Sequence, residues 1–191
     1  MRLFNVLTLA LLLCSAQAFG AGPAVEIKTS FGPVRLELYP DKAPKSVANF
    51  LRYVKDGFYD GLVFHRVIDG FMIQGGGYYP DLRGKQGNHP PIENEAENGL
   101  KNTAGTLAMA RTSNPHSATA QFFINVADNA FLDFREASPA GYGYAVFGKV
   151  TRGMEAVMRI GHTPTGRGGP FAKDVPLQPV VIQSITLVSD K

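Results

Sequence analysis

Residues 64–77 read FHRVIDGFMIQGGG, a stretch that mixes apolar, charged and amide side chains. Its two short apolar segments are bounded by Asp and Gly, which is typical of two strands joined by a turn. Pairing of these strands would bring Arg66 near Met72 and Gln74, so that a permanent charge and an amide would lie beside an apolar, aromatic surface. Taken alone, the pattern also fits an arginine at a barrel rim, with its aliphatic stem on apolar surface and its charge in water.

Further apolar segments lie on both sides of this pair. Val34, Leu36 and Leu38 alternate with Arg35 and Glu37, and this period of two predicts a strand with one buried face. The last apolar segment of the chain could pair with the first and close the sheet. The other segments predicted as strands are residues 25–29, 106–110, 122–126, 144–150 and 180–188.

Two helices are predicted. The first covers residues 44–55, starts with Pro44 and repeats its apolar residues at positions i, i+3, i+4 and i+7. The second is shorter, is capped by Thr151 and stops at Gly161. Residues 162–179 are rich in Gly and Pro and are predicted to form a surface loop.

These elements predict a mainly β fold: a closed, mostly antiparallel barrel whose open ends are covered by the two helices. The 191 residues include 45% hydrophobic and 18% charged side chains, which excludes wholesale disorder and a multi-span membrane protein. The 21 glycines and 13 prolines favour turns over long helices. No linker or internal repeat divides the chain, so one domain is expected.

Residues 1–18 read as a secretory signal peptide and precede the domain, residues 19–191. Arg2 supplies the positive start, an apolar run follows, and Ala16-Gln17-Ala18 is a cleavage site before Phe19. The run is shorter than the ~17 to 20 apolar residues that a membrane anchor needs. A lipid-attached Cys14 is the other alternative, but such a site normally has a small residue where this chain has Leu13.

The sequence lacks the residue patterns of metal sites, phosphate loops and nucleic-acid-binding surfaces. Cys14 is the only cysteine and the four histidines have no ligand spacing, so neither a metal site nor a cofactor is predicted. Residues 143–149 match the start of a phosphate loop, but Val150 replaces the required Ser or Thr and the middle is an apolar strand, so the match is interpreted as accidental. The net charge of +3 comes from a small excess without a basic run, and no nucleic-acid partner is expected.

A second informative stretch runs from residue 105 to residue 125. The strand at 106–110 leads through a polar loop to Gln121 and the pair Phe122-Phe123. Because neighbouring side chains in a strand point to opposite faces, one of these two phenylalanines must face away from the other.

These two stretches, together with residues 129–133 and 144–150, resemble the cyclophilin-type peptidyl-prolyl isomerases. The resemblance covers essentially all of residues 19–191, and with the signal peptide the chain is similar to the periplasmic cyclophilins of Gram-negative bacteria. It implies an eight-stranded antiparallel β-barrel capped by two α-helices.

The resemblance also implies the roles of individual residues. Arg66 matches the catalytic arginine, and the Ala110-Arg111 segment matches the strand edge that bonds the substrate backbone. Gln74 and Gln121 match polar groups that position the arginine and the peptide. The floor and walls of the proline pocket match Phe71, Met72, Phe123 and Leu132.

Three site positions depart from the best-known eukaryotic pattern. Phe131 stands where that pattern has tryptophan, Tyr144 where it has histidine, and Arg111 where it has a smaller polar residue. Loss of the indole N–H donor predicts weak cyclosporin binding. Isomerase activity is expected to survive, because none of the three carries the catalytic charge.

The reaction implied by the resemblance needs no nucleophile and no acid–base pair. Rotation about an Xaa–Pro bond must break amide resonance, a barrier of ~18 to 20 kcal/mol, but it transfers no proton or group. We therefore expect an isomerase that acts on proline-containing unfolded or flexible polypeptides during the folding of exported proteins. It is expected to be a periplasmic monomer without membrane insertion after signal cleavage.

Two other functions remain open at this level. A proline-peptide-binding chaperone without catalysis would keep its affinity when Arg66 is removed. A lipocalin-like carrier would also be a small secreted barrel, but it would not need Arg66 and Gln74 beside an exposed apolar groove.

Overall fold

The computed structural model describes residues 22–188, and the predicted signal peptide lies outside this range. These residues form ten strands and two α-helices. The helices are α1 (Pro44–Lys55) and α2 (Met154–Gly161). The strands are β1 (Ala24–Thr29), β2 (Gly32–Leu38), β3 (Val63–Ile68), β4 (Met72–Tyr78), β5 (Thr106–Met109), β6 (Phe122–Asn125), β7 (Val146–Arg152), β8 (Thr165–Gly168), β9 (Phe171–Pro176) and β10 (Ile182–Val188).

Eight of the strands form one antiparallel sheet in the order β10-β1-β2-β7-β5-β6-β4-β3. Its two edge strands meet at a single bridge between Val63 and Val181, which is flanked by a 2.9 Å bond from the Phe64 N–H to the Val180 carbonyl. The expected eight-stranded architecture is confirmed, as is the pairing of the last strand with the first. Because β3 and β10 meet only at this short seam, the barrel is a strongly curled sheet whose edge strands are not paired along their whole length.

The core explains why the first helix lies where it does. Phe50 on α1 is fully buried and its ring lies 5.4 Å from Tyr59, 5.5 Å from Phe122 and 5.4 Å from Phe147. Burial of one such side chain contributes about 1.5 to 3 kcal/mol. The apolar face predicted from the i, i+3, i+4, i+7 spacing is therefore what fixes α1 over the barrel interior, and the predicted bounds of this helix are confirmed.

The predicted start of the second helix is wrong. Thr151 does not cap α2, because β7 stays paired with β2 as far as Arg152. The capping position is Gly153, whose φ of 85° lies in the left-handed region that favours glycine. A Cβ at this position would come within 2.2 Å of the Pro33 carbonyl oxygen, so only glycine fits before α2.

The predicted loop at residues 162–179 is also wrong, because it contains the hairpin of β8 and β9. The two strands form a sheet of their own that lies against β3. Phe171 attaches the hairpin, with its ring 5.6 Å from His65 and 5.1 Å from Tyr78. Within residues 22–188, no helix is long and apolar enough to cross a membrane.

Candidate active site

A β-bulge at His65 determines where the Arg66 side chain points. The ladder between β3 and β4 pairs Phe64 with Gly75 and then Arg66 with Gln74, which leaves His65 unpaired. Such a bulge re-aims the side chain that follows it. Arg66 is therefore placed directly opposite Gln74, and the predicted proximity of these two residues is confirmed.

The neighbouring strands extend this pair into a row. Gln74 pairs with Phe123 on β6, and Phe123 pairs with Ala108 on β5. Residues directly opposite each other in a ladder share one face of the sheet. Arg66, Gln74 and Phe123 therefore lie on the same face, while Phe122 is part of the main core on the other, so the opposite orientation predicted for the two phenylalanines is confirmed.

A second apolar cluster lies on this outer face, separate from the main core. Its buried members come from four strands, β4 to β7, and from the 3-10 helix Ala130–Leu132: Met72, Ala108, Phe123, Leu132 and Val146. The cluster forms the floor of an open cavity of about 120 Å³. That volume is well below the roughly 300 Å³ or more of a typical small-molecule site, and it suits a single small side chain.

The cavity gathers nine of the eleven site residues named from the sequence. Its lining consists of Arg66, Phe71, Met72, Gln74, Ala110, Arg111, Phe123, Leu132 and Tyr144. The other two lie at its border. Gln121 accepts a 2.9 Å bond from the Gln74 amide, and Phe131 is 66% exposed with its ring 5.4 Å from Phe71.

Arg66 lies at the mouth of the cavity between an amide and a carboxylate. Its Nη1 is 3.5 Å from Gln74 Oε1, and its Nε is 3.8 Å from Asp174 Oδ2. The side chain is 40% exposed, so its charge is neither fully solvated nor buried. Asp174 belongs to β9 and was not predicted as a site residue, because the sequence of this hairpin is typical of a loop.

Arg111 is held on the opposite wall. Its Nε donates to the Gly143 carbonyl and its Nη1 to the Thr112 carbonyl, both at 2.9 Å. The guanidinium carbon lies 4.5 Å above the ring of Tyr144. Arg111 and Tyr144 therefore form one packed unit, and the Ala110 backbone runs beside it with its N–H bonded to the Gln121 carbonyl.

Buried asparagines, which the sequence analysis also missed, hold the cavity walls from behind. The Asn102 amide donates to the carbonyl oxygens of Leu132 at 3.2 Å and Tyr144 at 3.3 Å, and Asn129 donates to that of Phe71 at 2.9 Å. Asn125 joins the two through bonds to both. These walls are therefore fixed by polar bonds to the main chain as well as by packing.

The titratable group nearest to Arg66 in sequence is kept neutral. Burial, assisted by the positive charge of Arg66, lowers the pKa of His65 to about 4. Within residues 22–188, no group of three or more His, Cys, Asp or Glu side chains could hold a metal ion. The site therefore combines an apolar cavity with a permanently charged hydrogen-bond donor at its mouth. The Gln74 amide contacts the donor, and the asparagine amides hold the cavity walls.

Residues 24–187 match the family described as cyclophilin type peptidyl-prolyl cis-trans isomerase/CLD. The chain is 54% identical to peptidyl-prolyl cis-trans isomerase B of Escherichia coli, over 85% of this chain and 98% of that protein. It is 56% identical to a peptidyl-prolyl cis-trans isomerase of Acinetobacter baylyi, over 93% and 92%.

Solved structures give the same result. A Cryptosporidium parvum cyclophilin type peptidyl-prolyl cis-trans isomerase, crystallised in the presence of the dipeptide Ala-Pro, superposes with a TM-score of 0.74 at 30% identity, covering 87% of this chain and 99% of that one. The chain therefore belongs to the cyclophilin-type peptidyl-prolyl cis-trans isomerases and is an enzyme of that class.

Proposed function

We propose that Arg66 is the catalytic group of this isomerase and that the cavity over Phe123 holds the proline ring of the substrate. The observation that carries the proposal is the position of a permanently charged donor at the mouth of a small apolar cavity. In the twisted transition state the proline nitrogen regains its lone pair. A donor aimed at that nitrogen binds the twisted state more strongly than either planar isomer, which is the requirement for catalysis.

The cavity contributes the second part of the effect. A proline ring seated on Phe123 and Met72 is held still and excludes water, while the acyl side remains free to turn. Exclusion of water lowers the local dielectric and strengthens the interaction with Arg66. A rate gain of ~10⁵ corresponds to roughly 7 kcal/mol, which is more than one hydrogen bond supplies, so the donor and the cavity are both needed.

The test is the cis-to-trans rate of a short Xaa-Pro peptide with Arg66→Ala. We expect kcat/KM to fall by about 100-fold or more, because the transition-state donor is lost. Arg83→Ala is the matched control, since Arg83 is an exposed arginine away from the cavity, and its activity should equal that of the wild type.

Two results would contradict the assignment. Undiminished turnover by folded Arg66→Ala would remove Arg66 from the reaction. If the wild type bound proline peptides with an affinity that survived Arg66→Ala but left their isomerisation rate at its spontaneous value, the function would be that of a binding chaperone.

We also propose that the enzyme acts in the periplasm on exported polypeptides. Support comes from residues 1–18, whose charge, apolar run and A-x-A site fit a cleavable signal. Cell fractionation should recover the protein with the periplasmic contents, and mass spectrometry should find a chain that begins at Phe19. A chain that still begins at Met1, or a protein recovered with the cytoplasmic contents, would overturn this proposal.

The partners we propose are flexible proline-containing segments, bound by a monomer. The relative crystallised with Ala-Pro supports the class of ligand. Phe131 has no ring N–H to donate, so we expect weak cyclosporin binding compared with a family member that has tryptophan there, as measured by calorimetry. Sedimentation should give the mass of one chain.

A further inference from the structure

We infer that Asp174 is a positioning residue for Arg66, and that the hairpin of β8 and β9 is the element that supplies it. This inference rests on the proposed role of Arg66. Asp174 lies outside the barrel sheet, in a part of the chain whose sequence predicts a surface loop.

The position of the carboxylate is the first observation. Asp174 Oδ2 lies 3.8 Å from Arg66 Nε, on a side chain that is 19% exposed. Gln74 Oε1 is 3.5 Å from Nη1 of the same guanidinium. The two acceptors therefore meet two different nitrogens of one planar group, and together they define its orientation as well as its place.

The backbone of the hairpin is bent to reach this position. Asp174 has a φ of 67°, and Leu82 is the other non-glycine residue of the described chain in the left-handed region. The ladder between β8 and β9 is irregular between the pairs Gly166–Val175 and Gly168–Phe171, and Asp174 lies within this bulge. A bulge with a left-handed residue re-aims the side chain that it carries, and here that side chain faces Arg66.

The hairpin itself is firmly seated, which a positioning role requires. Phe171 packs on His65 and Tyr78, and His65 directly precedes Arg66 in β3. At the turn, a Cβ on Gly168 or Gly169 would approach the Leu82 side chain to 2.9 Å, which shows how closely Leu82 covers it. The carboxylate is thus held by a docked element rather than by a free loop.

Orientation is what the reaction needs from this contact. Arginine is charged with or without a partner, so Asp174 is not required to make Arg66 a cation. A half-exposed arginine on a flexible stem samples many rotamers, and each partner reduces that freedom. A carboxylate on Nε restrains the edge of the guanidinium while the terminal nitrogens remain directed toward the cavity.

The experiment uses Asp174→Asn in the full mature protein, with Asp81→Asn as the matched control. Both variants remove one negative charge from an ion pair with an arginine, but Asp81 pairs with the exposed Arg83. Asparagine tolerates a left-handed φ, so the backbone of the hairpin is retained. We expect Asp174→Asn to lower kcat by about fivefold with KM unchanged, as fits an ion pair of modest strength. Asp81→Asn should match the wild type.

A spectroscopic signal separates positioning from general damage. The NMR resonance of the Arg66 Nε–H group should move in Asp174→Asn and stay in place in Asp81→Asn, while the signals of the barrel core remain unchanged. Asp174→Gly, which also accepts the left-handed φ, should reproduce the loss in kcat and keeps the test valid if the asparagine variant does not fold.

Two outcomes would overturn the inference: an unchanged kcat, whether or not KM rises, and a raised kcat. Arg66→Ala is measured in the same assay. If Arg66→Ala is inactive and Asp174→Asn is not impaired, the role of Asp174 fails alone. If Arg66→Ala is fully active, the assignment of Arg66 fails first.

Discussion

Arg66 is partly exposed, and this exposure suits a donor that must meet a substrate. A fully buried guanidinium would carry a large desolvation penalty, whereas a fully exposed one would be screened by water and salt. At 40% exposure, Arg66 lies at the cavity mouth, where a peptide bound as we propose would complete its removal from water. Its contacts with Gln74 and Asp174 restrain the guanidinium at this position.

His65, the residue before it, has the opposite environment. It is 2% exposed and packs against the rings of Tyr78, at 4.5 Å, and Phe171, at 5.6 Å. Its Nδ1 is buried with no hydrogen-bond partner among the described residues. Burial and the charge of Arg66 lower its pKa to about 4, so the ring is neutral at physiological pH.

This burial predicts a loss of stability in acid. The unfolded chain binds a proton at His65 near the ordinary pKa of 6.5, while the folded chain binds it only near 4. Between these values the unfolded state holds more protons, so the free energy of unfolding falls as the pH is lowered. At pH 4.5 the loss from His65 should be about 2 to 3 kcal/mol, measured by urea unfolding against pH 7.

His65→Phe tests this assignment, because it keeps an aromatic ring in the site and removes the titration. Between pH 7 and pH 4.5, the unfolding free energy of His65→Phe should fall by about 2 to 3 kcal/mol less than that of the wild type. His162→Gln is the control, since His162 is exposed and pairs with Asp69. The same pH dependence in wild type and His65→Phe would show that the acid sensitivity comes from other groups.

At the scale of elements, the sequence predicted those parts whose periodicity reflects a buried face. In β2 the buried Val34, Leu36 and Leu38 alternate with half-buried charges, and α1 has one apolar stripe, so both could be recognised. The hairpin could not. β8 reads Thr-Gly-Arg-Gly and none of its residues is buried, because its position depends on the docking of Phe171.

The site was predictable to a similar extent. Arg66, Gln74 and Phe123 could be assigned because they lie on strands that pair in the expected way and match a recognised motif. Asp174 gave no such signal, because its approach depends on a bulge and a left-handed φ far along the chain. The asparagines behind the cavity could not be predicted either, because no periodic pattern in the sequence marks a buried network of amide side chains.

That network predicts an element-scale effect of Asn102→Ala. The loop of Asn102 would lose its bonds to the carbonyls of Leu132 and Tyr144, and Asn125 would lose its acceptor on Asn102. The Leu132 carbonyl would keep its bond from the Tyr144 N–H and Asn125 its bond to Thr106, so the lost bonds should lower the free energy of unfolding by about 1 to 3 kcal/mol. Because the two carbonyls belong to the cavity walls, KM for a proline peptide should also rise.

The control is Asn114→Ala, at an exposed asparagine that accepts a bond only within its own loop. Its unfolding free energy should change by about 0.5 kcal/mol or less, as is usual for surface substitutions. Equal stability of the two variants by urea unfolding, or an unchanged KM in Asn102→Ala, would contradict a role for the network in holding the walls.

At the scale of the whole molecule, one sheet serves two separate apolar clusters. Its inner face encloses the main core, and its outer face carries the cluster beneath the proposed proline pocket. β6 contributes to both through consecutive residues, Phe122 inward and Phe123 outward. Because the clusters share strands but not side chains, stability and substrate binding should be separable by mutation.

The pair Phe122→Ala and Phe123→Ala tests this division with the same chemical change at adjacent positions. Phe122 is fully buried and its ring lies 5.5 Å from Phe50 and 5.4 Å from Tyr59, so its removal should cost about 3 to 5 kcal/mol of unfolding free energy. Phe123 is also buried but borders an open cavity that water can enter, so its removal should cost less, about 2 to 3 kcal/mol.

Binding should show the reverse order. Phe123→Ala removes the floor on which we place the proline ring, so the Kd of an Ala-Pro peptide measured by calorimetry should rise by about tenfold, the loss of one well-buried apolar contact. Phe122→Ala, measured at a temperature where it remains folded, should bind the peptide nearly as well as the wild type. If both variants lost stability and affinity to the same degree, the two faces of the sheet would act as a single unit, and the proposed pocket could not be distinguished from the core that supports it.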